Sequence, residues 1–325
     1  MDWKKTLNIT AIGLVAWLLV VEWNNFSELR DAEQRTAVAK AEILIPETTI
    51  PPQQQATYSE ELPSLLEAPV AVAEKPVDTR LVTVTTDTFE VTIDTLGGDI
   101  VQVKLLKHLT RMADDGGEPF TLLTRSKSNE YIAQSGLIGK NGTDTREGRP
   151  VYGVTQSSFS LTPGEQNLDV DLRLDQNGVT IVKRFSFTEN EYVIGVNYLI
   201  ENNGYESWEA TFYGQIKRDS HEPIVESSGG VQPYLGAALR EPEKNFSKHD
   251  FGDISDDSVK AEIKGGWVAM VQHYFVGAWI PPTDDNNSFS LRKLSGQDVY
   301  LFGFTGEKII VPAGSSAEYS AQFYV

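Results

Sequence analysis

From Arg80 to Tyr324 apolar and polar residues alternate in short runs, and this period of two constrains the chain more than any other feature. Successive side chains of an extended strand point to opposite faces, so each run buries one face and needs a second layer to bury it against. Such runs are Leu81–Thr86, Phe89–Ile93, Ile100–Leu105, Val151–Leu161, Leu168–Leu174, Val179–Phe187 and Tyr192–Ile200. They continue with Trp208–Ile216, Phe289–Lys293, Val299–Phe304, Ile309–Val311 and Ala317–Tyr324. Leu96-Gly97-Gly98-Asp99 supplies a Gly-rich turn, and Gln176-Asn177-Gly178 reads as a hairpin turn because Asn-Gly accepts positive φ. So many strands with little helix between them predict an all-β sandwich of two large sheets.

One stretch breaks the alternation. Between Lys264 and Pro281, Trp267, Met270, Val271, Tyr274 and Ala278 recur at helical spacing, bracketed by Gly265-Gly266 and Pro281-Pro282. The spacing predicts a helix with three possible fates. It packs on the sheet as core, or it leaves a face carrying Trp267, Met270, Tyr274, Phe275 and Trp279 for a partner or the bilayer surface. As a membrane span it is poorer, because its glycines, Gln272 and His273 interrupt it. The aromatics Phe185, Phe187, Trp208 and Phe212 fall on strands with polar alternates and are expected in the core.

Ahead of the alternating region, Thr6–Val21 is free of charge, with Lys4 and Lys5 before it and Glu22 after. A helix of that length covers ~24 Å at about 1.5 Å per residue, a little short of a ~30 Å hydrocarbon core, so flanking residues must reach the interfaces. Trp17 and Trp23 suit the headgroup level, and the two lysines favour a cytoplasmic N-terminus with the bulk of the chain on the far side. A cleaved secretory signal is the alternative, but Val21-Glu22-Trp23-Asn24-Asn25-Phe26 offers no small-residue cleavage site. The expected organisation is a transmembrane anchor over 1–23, a Pro- and Gln-rich disordered linker over 24–79 and a folded domain over 80–325.

Charge and residue types exclude several functions. With 46 acidic against 28 basic residues the net charge is −18, which opposes a phosphate backbone and so nucleic acid. The chain has no cysteine, which removes thiolate chemistry, disulfides and lipid attachment at a cysteine. His108, His221, His249 and His273 lie far apart and form no metal-binding spacing, and neither a Gly-x-Ser-x-Gly elbow nor a phosphate loop occurs. His221-Glu222 invites attention as an acid-base pair, but Pro223 makes it a loop, and Asp253, Asp256 and Asp257 read as a solvated acidic loop. No catalytic, metal or cofactor-binding residue is expected, and no cofactor.

Several motifs resemble one family. Gly265-Gly266-Trp267-Val268-Ala269-Met270, Gln272-His273-Tyr274-Phe275 and Ala278-Trp279-Ile280-Pro281 are similar to the matching segment of the Gram-negative YidC-type membrane protein insertases. So are Thr95-Leu96-Gly97-Gly98-Asp99-Ile100, Tyr131-Ile132-Ala133-Gln134-Ser135-Gly136-Leu137 and Phe212-Tyr213-Gly214-Gln215-Ile216. The resemblance covers the anchor layout and most of 81–325, and not the linker.

It implies a β-supersandwich periplasmic domain of galactose-mutarotase-like shape with one or two packed helices, preceded by a transmembrane helix. In that family a five-helix membrane core follows and performs insertion through a hydrophilic groove, so a chain ending at Val325 is expected to be the N-terminal part. The implied role is a non-catalytic scaffold at the bacterial inner membrane. The implied partners are inner membrane lipid, secretion-channel accessory proteins and nascent membrane-protein clients. The competing reading is an anchored periplasmic carbohydrate-binding or aldose-epimerase-like domain.

Overall fold

In the computed structural model the residues described are 80–111, 116–126, 129–221, 234–241 and 246–325. The expected anchor, with Lys4, Lys5, Trp17 and Trp23, and the expected linker lie outside them. Among the described residues no helix is long and apolar enough to cross a membrane.

The chain opens with β1 (Leu81–Thr85), β2 (Phe89–Asp94), β3 (Asp99–Leu109), β4 (Pro119–Arg125) and β5 (Glu130–Ile138). After a long excursion holding only the short β6 (Ser158–Ser160) come β7 (Asn167–Gln176), β8 (Val179–Thr188), β9 (Val193–Asn202) and β10 (Trp208–Arg218). Then follow β11 (Leu235–Leu239), β12 (Ser247–His249), the short helix α1 (Phe251–Asp256), β13 (Val259–Lys264), β14 (Val268–Gln272) and β15 (Phe275–Ile280). The last three are β16 (Asn286–Lys293), β17 (Tyr300–Val311) and β18 (Ser315–Tyr324).

These strands form two sheets, a ten-stranded one in the order β13-β16-β17-β10-β5-β4-β3-β2-β1-β6 and an eight-stranded one in the order β12-β11-β14-β15-β18-β9-β8-β7. The expected all-β sandwich is what forms. Its inner faces meet around Phe212, whose ring lies 4.5 Å from Tyr319, 5.6 Å from Tyr198, 5.7 Å from Phe304 and 6.4 Å from Trp279. Phe185, Phe187 and Trp208 are buried in the same core, as their alternation predicts. The β7–β8 turn falls at Asn177 and Gly178, with φ of 53° and 79°, the positive values that a tight turn between twisted strands needs.

The expected helix over 267–280 is wrong: those residues make the β14–β15 hairpin, with Val268 opposite Trp279 and Gln272 opposite Phe275. Met270 and Trp279 enter the core, while on the other face Ala269 and Ala278 are buried with Ala238 under Trp267, Val271 and Val276. A strand covered on both faces shows a continuous apolar run, which matches helical spacing as easily as extended. Gly265 and Gly266, at φ of 65° and 86°, make the turn that leads β13 into the hairpin.

Smaller expectations also change. Val151–Leu161 is not one strand; only Ser158–Ser160 pairs, with isolated bridges at Val151 and Gly153. Val299–Phe304 and Ile309–Val311 belong to the single strand β17. The stretch containing Asp253 and Asp256 is α1 rather than a loop. Asp250 accepts from the Asp253 N–H and Asp253 reaches back to the Asp250 N–H, a reciprocal cap that satisfies two otherwise orphan donors.

Candidate functional site

Between the sheets lies a buried cluster of charged side chains. It begins at the turn Gly97-Gly98, where φ of 75° and 65° and the lack of Cβ leave room: a Cβ on Gly97 would collide with the Arg149 guanidinium, and one on Gly98 would stand 2.8 Å from Lys183 Cδ. Lys183, on the inner face of β8, donates to the carbonyls of Gly97 and Ser135, both at 2.9 Å. Arg149 donates to the same two carbonyls at 3.2 and 2.8 Å, to Asp99 Oδ1 at 2.5 Å and to Asp144 Oδ2 at 3.2 Å. Tyr213 donates to Asp144 at 2.5 Å, and Gln134 to Asp99 at 2.7 Å.

Burial sets the protonation behaviour of this cluster. It pushes Lys183 down to about 7, with the Arg149 charge adding to the effect and Asp99 and Asp144 opposing it. It pushes the Asp144 carboxyl up, against the pull of Arg149 and the Tyr213 hydroxyl. Paired acids and bases with shifted pKa values are what active sites use. Here, however, the side chains of Asp99, Asp144 and Lys183 are at most 3% exposed, the two carboxylates are bonded to Arg149, Gln134 and Tyr213, and Lys183 is bonded to backbone carbonyls. The arrangement ties the excursion around Asp144 and Arg149 to β5, β8 and the turn before β3. Sequence reading did not single out Asp99, Asp144, Arg149 or Lys183. A signal existed for one of them: Lys183 occupies the apolar phase of Val179, Ile181, Phe185 and Phe187.

The second concentration of side chains is a groove of about 310 Å³ at one end of the sandwich, lined by Leu105, His108, Tyr192, Phe275, Tyr324 and others. The tip of the β14–β15 hairpin builds it. His273 takes φ of 53°, a left-handed value uncommon outside glycine and asparagine, and turns Tyr274 outward until it is 93% exposed. Phe275 stacks on Phe120 with ring centres 4.0 Å apart, and His108 meets its edge at 6.0 Å. His108 Nε2 and Tyr192 Oη lie 3.2 Å apart. The buried Arg218 steadies the hairpin, donating to Gln272 Oε1 and to the carbonyl of His221 while lying over the Tyr131 ring.

The five residues expected on a partner-facing helix are therefore split. Tyr274 and Phe275 line the groove, whereas Met270 and Trp279 are buried core and Trp267 is half-buried on the outer sheet face. The four histidines do not come together. His108 faces Tyr192, His249 lies 2.9 Å from Ser247 Oγ, and His221 is exposed.

Comparison with known proteins places this architecture. Residues 81–325 match the YidC periplasmic domain. The chain belongs to the YidC periplasmic domain family. The membrane protein insertase YidC of Cellvibrio japonicus is 41% identical over 324 residues, which take in 100% of this chain and 58% of that protein. That of Saccharophagus degradans is 42% identical over 331 residues, with 100% and 59% covered. The chain thus spans less than two thirds of the curated relatives it matches.

Among solved structures, a galactose mutarotase-like protein from Lactobacillus casei is similar, with a TM-score of 0.50, 9% identity, and coverage of 75% of this chain and 99% of that one. At that identity the likeness is one of fold. The YidC-family periplasmic domain is thus built on the galactose-mutarotase-like sandwich that the resemblance implied.

Proposed function

We propose that the chain is the anchored, N-terminal part of a membrane protein insertase, and that 80–325 is its non-catalytic periplasmic scaffold. The observation that carries this is the 41% identity running through all of the chain to a curated insertase. On this reading 1–23 holds the chain in the bacterial inner membrane with the N-terminus in the cytoplasm, and 24–79 is a leash. The domain then meets inner membrane lipid, secretion-channel accessory proteins and nascent membrane-protein clients. The scaffold role draws support from the interior charge cluster, whose acids and bases are buried with Asp99 and Asp144 held by Arg149 and Lys183 held by backbone carbonyls.

Depleting the protein in its own host and following newly made inner-membrane proteins tests the assignment. Slowed insertion is expected. Insertion at the normal rate overturns it. For the topology, protease should cleave the 24–79 leash in spheroplasts, whose outer membrane is opened, and leave the chain uncut in intact cells.

A further inference from the structure

We propose that the free edge of β13 pairs with β13 of a second copy of this chain, antiparallel about a two-fold axis at Ala261, so that the ten-stranded sheet continues from one copy into the other. β13 ends that sheet, with β16 on one side and no strand on the other. The other sheet edges among the described residues offer less: β6 and β12 are three residues long, and β7 is bridged at Arg173 by Gly153. The Gly265 N–H donates to the Asp285 carbonyl at 2.8 Å, so by the alternation of an antiparallel ladder Ile263, Ala261 and Val259 spend their backbone groups on β16. The N–H and C=O groups of Ser258, Lys260, Glu262 and Lys264 therefore point out of the sheet.

Exposed charges on an edge ordinarily keep a second strand from adding to it. Here they leave one register open. Outward backbone groups must face one another, so a two-fold pair has to centre on a residue of the strand. Centring on Lys260 sets that lysine against its own copy, and centring on Glu262 sets Glu262 against Glu262 and Lys260 against Lys264. Like charges directly opposite are destabilising. Centring on Val259 or Ile263 runs the pairing into α1 or into the Gly265-Gly266 turn. Centring on Ala261 sets Lys260 opposite Glu262 twice, once on each side of the axis, with Val259 opposite Ile263 and Ala261 opposite Ala261. Lys260 and Glu262 are exposed, and neither has an ion-pair partner among the described residues. On the other face Val259 and Ala261 are half-buried beside Ile263, so the pairing also carries the apolar row across the axis. This order of charges is complementary to itself, which is why the partner is a copy of the same strand.

The pairing does not depend on the insertase reading, which the depletion experiment tests separately. Sedimentation of the full chain in detergent at rising concentration should show a reversible dimer. Lys260→Glu and Glu262→Lys should each raise its dissociation constant roughly tenfold, because either change turns two attractive pairs into two repulsive ones. The two changes together should bring it back to within about threefold of the wild type. Both positions are exposed, so the variants should unfold at the wild-type denaturant midpoint, which is checked first. The absence of cysteine gives a second readout, since a single introduced cysteine can bond only to another copy. In the Ala261-centred register position 261 meets itself at a Cα separation of about 4.5 Å, within disulfide reach, whereas 260 meets 262. Mild oxidation should therefore link Ala261→Cys several-fold faster than Lys260→Cys, Glu262→Cys or the exposed Tyr205→Cys. Three results overturn the proposal. One is a chain still monomeric at ~100 µM, where even a weak specific interface forms. Another is a dimer indifferent to the single charge reversals, and the third is linking that is fastest at 260, 262 or 205.

Discussion

At the scale of single residues the molecule is governed by what burial does to charge. Lys183 is wholly buried with its proton affinity pushed down to about 7, so above that pH the unfolded chain holds a proton that the folded one has released. A base depressed in the folded state makes stability rise with pH from its folded value towards its ordinary one, by at most ~1.4 kcal/mol per pH unit. Between pH 7 and 9 the wild type should therefore gain on the order of 2 kcal/mol relative to Lys183→Met. Urea midpoints of both proteins at the two pH values measure this. Tyr213→Phe removes one donor to Asp144 and leaves Arg149 in place, so it should cost about 1 to 3 kcal/mol. Asp144→Ala leaves Arg149 with Asp99 as its one remaining carboxylate contact and should cost more, about 3 to 5 kcal/mol. Denaturant unfolding of the two variants side by side orders these effects.

At the scale of elements the β14–β15 hairpin carries most of the consequences. Trp279 packs 5.1 Å from Phe323 and 6.4 Å from Phe212 inside the sandwich, whereas Trp267 covers three alanines on the outer face. Trp279→Ala should cost about 3 to 5 kcal/mol and Trp267→Ala clearly less, an order that a helix with Trp267 inward would reverse. Chemical denaturation of the two variants decides it. The same hairpin shows why some strands were legible and others not. β8 and β9 have one wet face and alternate cleanly, and their sequence places them. β5 is buried along nearly its whole length, with Gln134 and Ser135 in contact with the charge cluster, so it presents no alternation to read. β14 is likewise covered on both sides.

At the scale of the whole molecule the domain has a marked beginning. Arg80, the first described residue, holds Asp94 through two hydrogen bonds of 2.6 Å, and Arg125 adds a third of 2.7 Å. Burial works to raise the Asp94 carboxyl, but the bonds from Arg80 and the Leu96 N–H, with the charges of Arg80 and Arg125, leave it below the usual range. Its contribution to stability is present above the ordinary carboxylate range and is lost as acid protonates it. On the proposed anchor-and-leash organisation, limited proteolysis of the full chain should cut within 24–79 and leave a resistant fragment starting near Arg80. N-terminal sequencing reads the boundary. Arg80→Ala should make the first strand the earliest part lost on acidification, which hydrogen exchange of β1 against β9 reports.

The sequence alone determined the sandwich class, the Asn-Gly turn, the core aromatics and the family, because one-sided burial writes a period of two and family motifs are local strings. It also held one clue to the interior charges, Lys183 on the apolar phase of β8. Only the tertiary structure decided that 268–280 is a hairpin, that Asp99, Asp144, Arg149 and Lys183 meet, and that Tyr192, Tyr274 and Tyr324 share one end of the sandwich. Each of these depends on which strands become neighbours and whether a second face is covered. Those pairings join residues up to a hundred or more positions apart, and no local pattern encodes them.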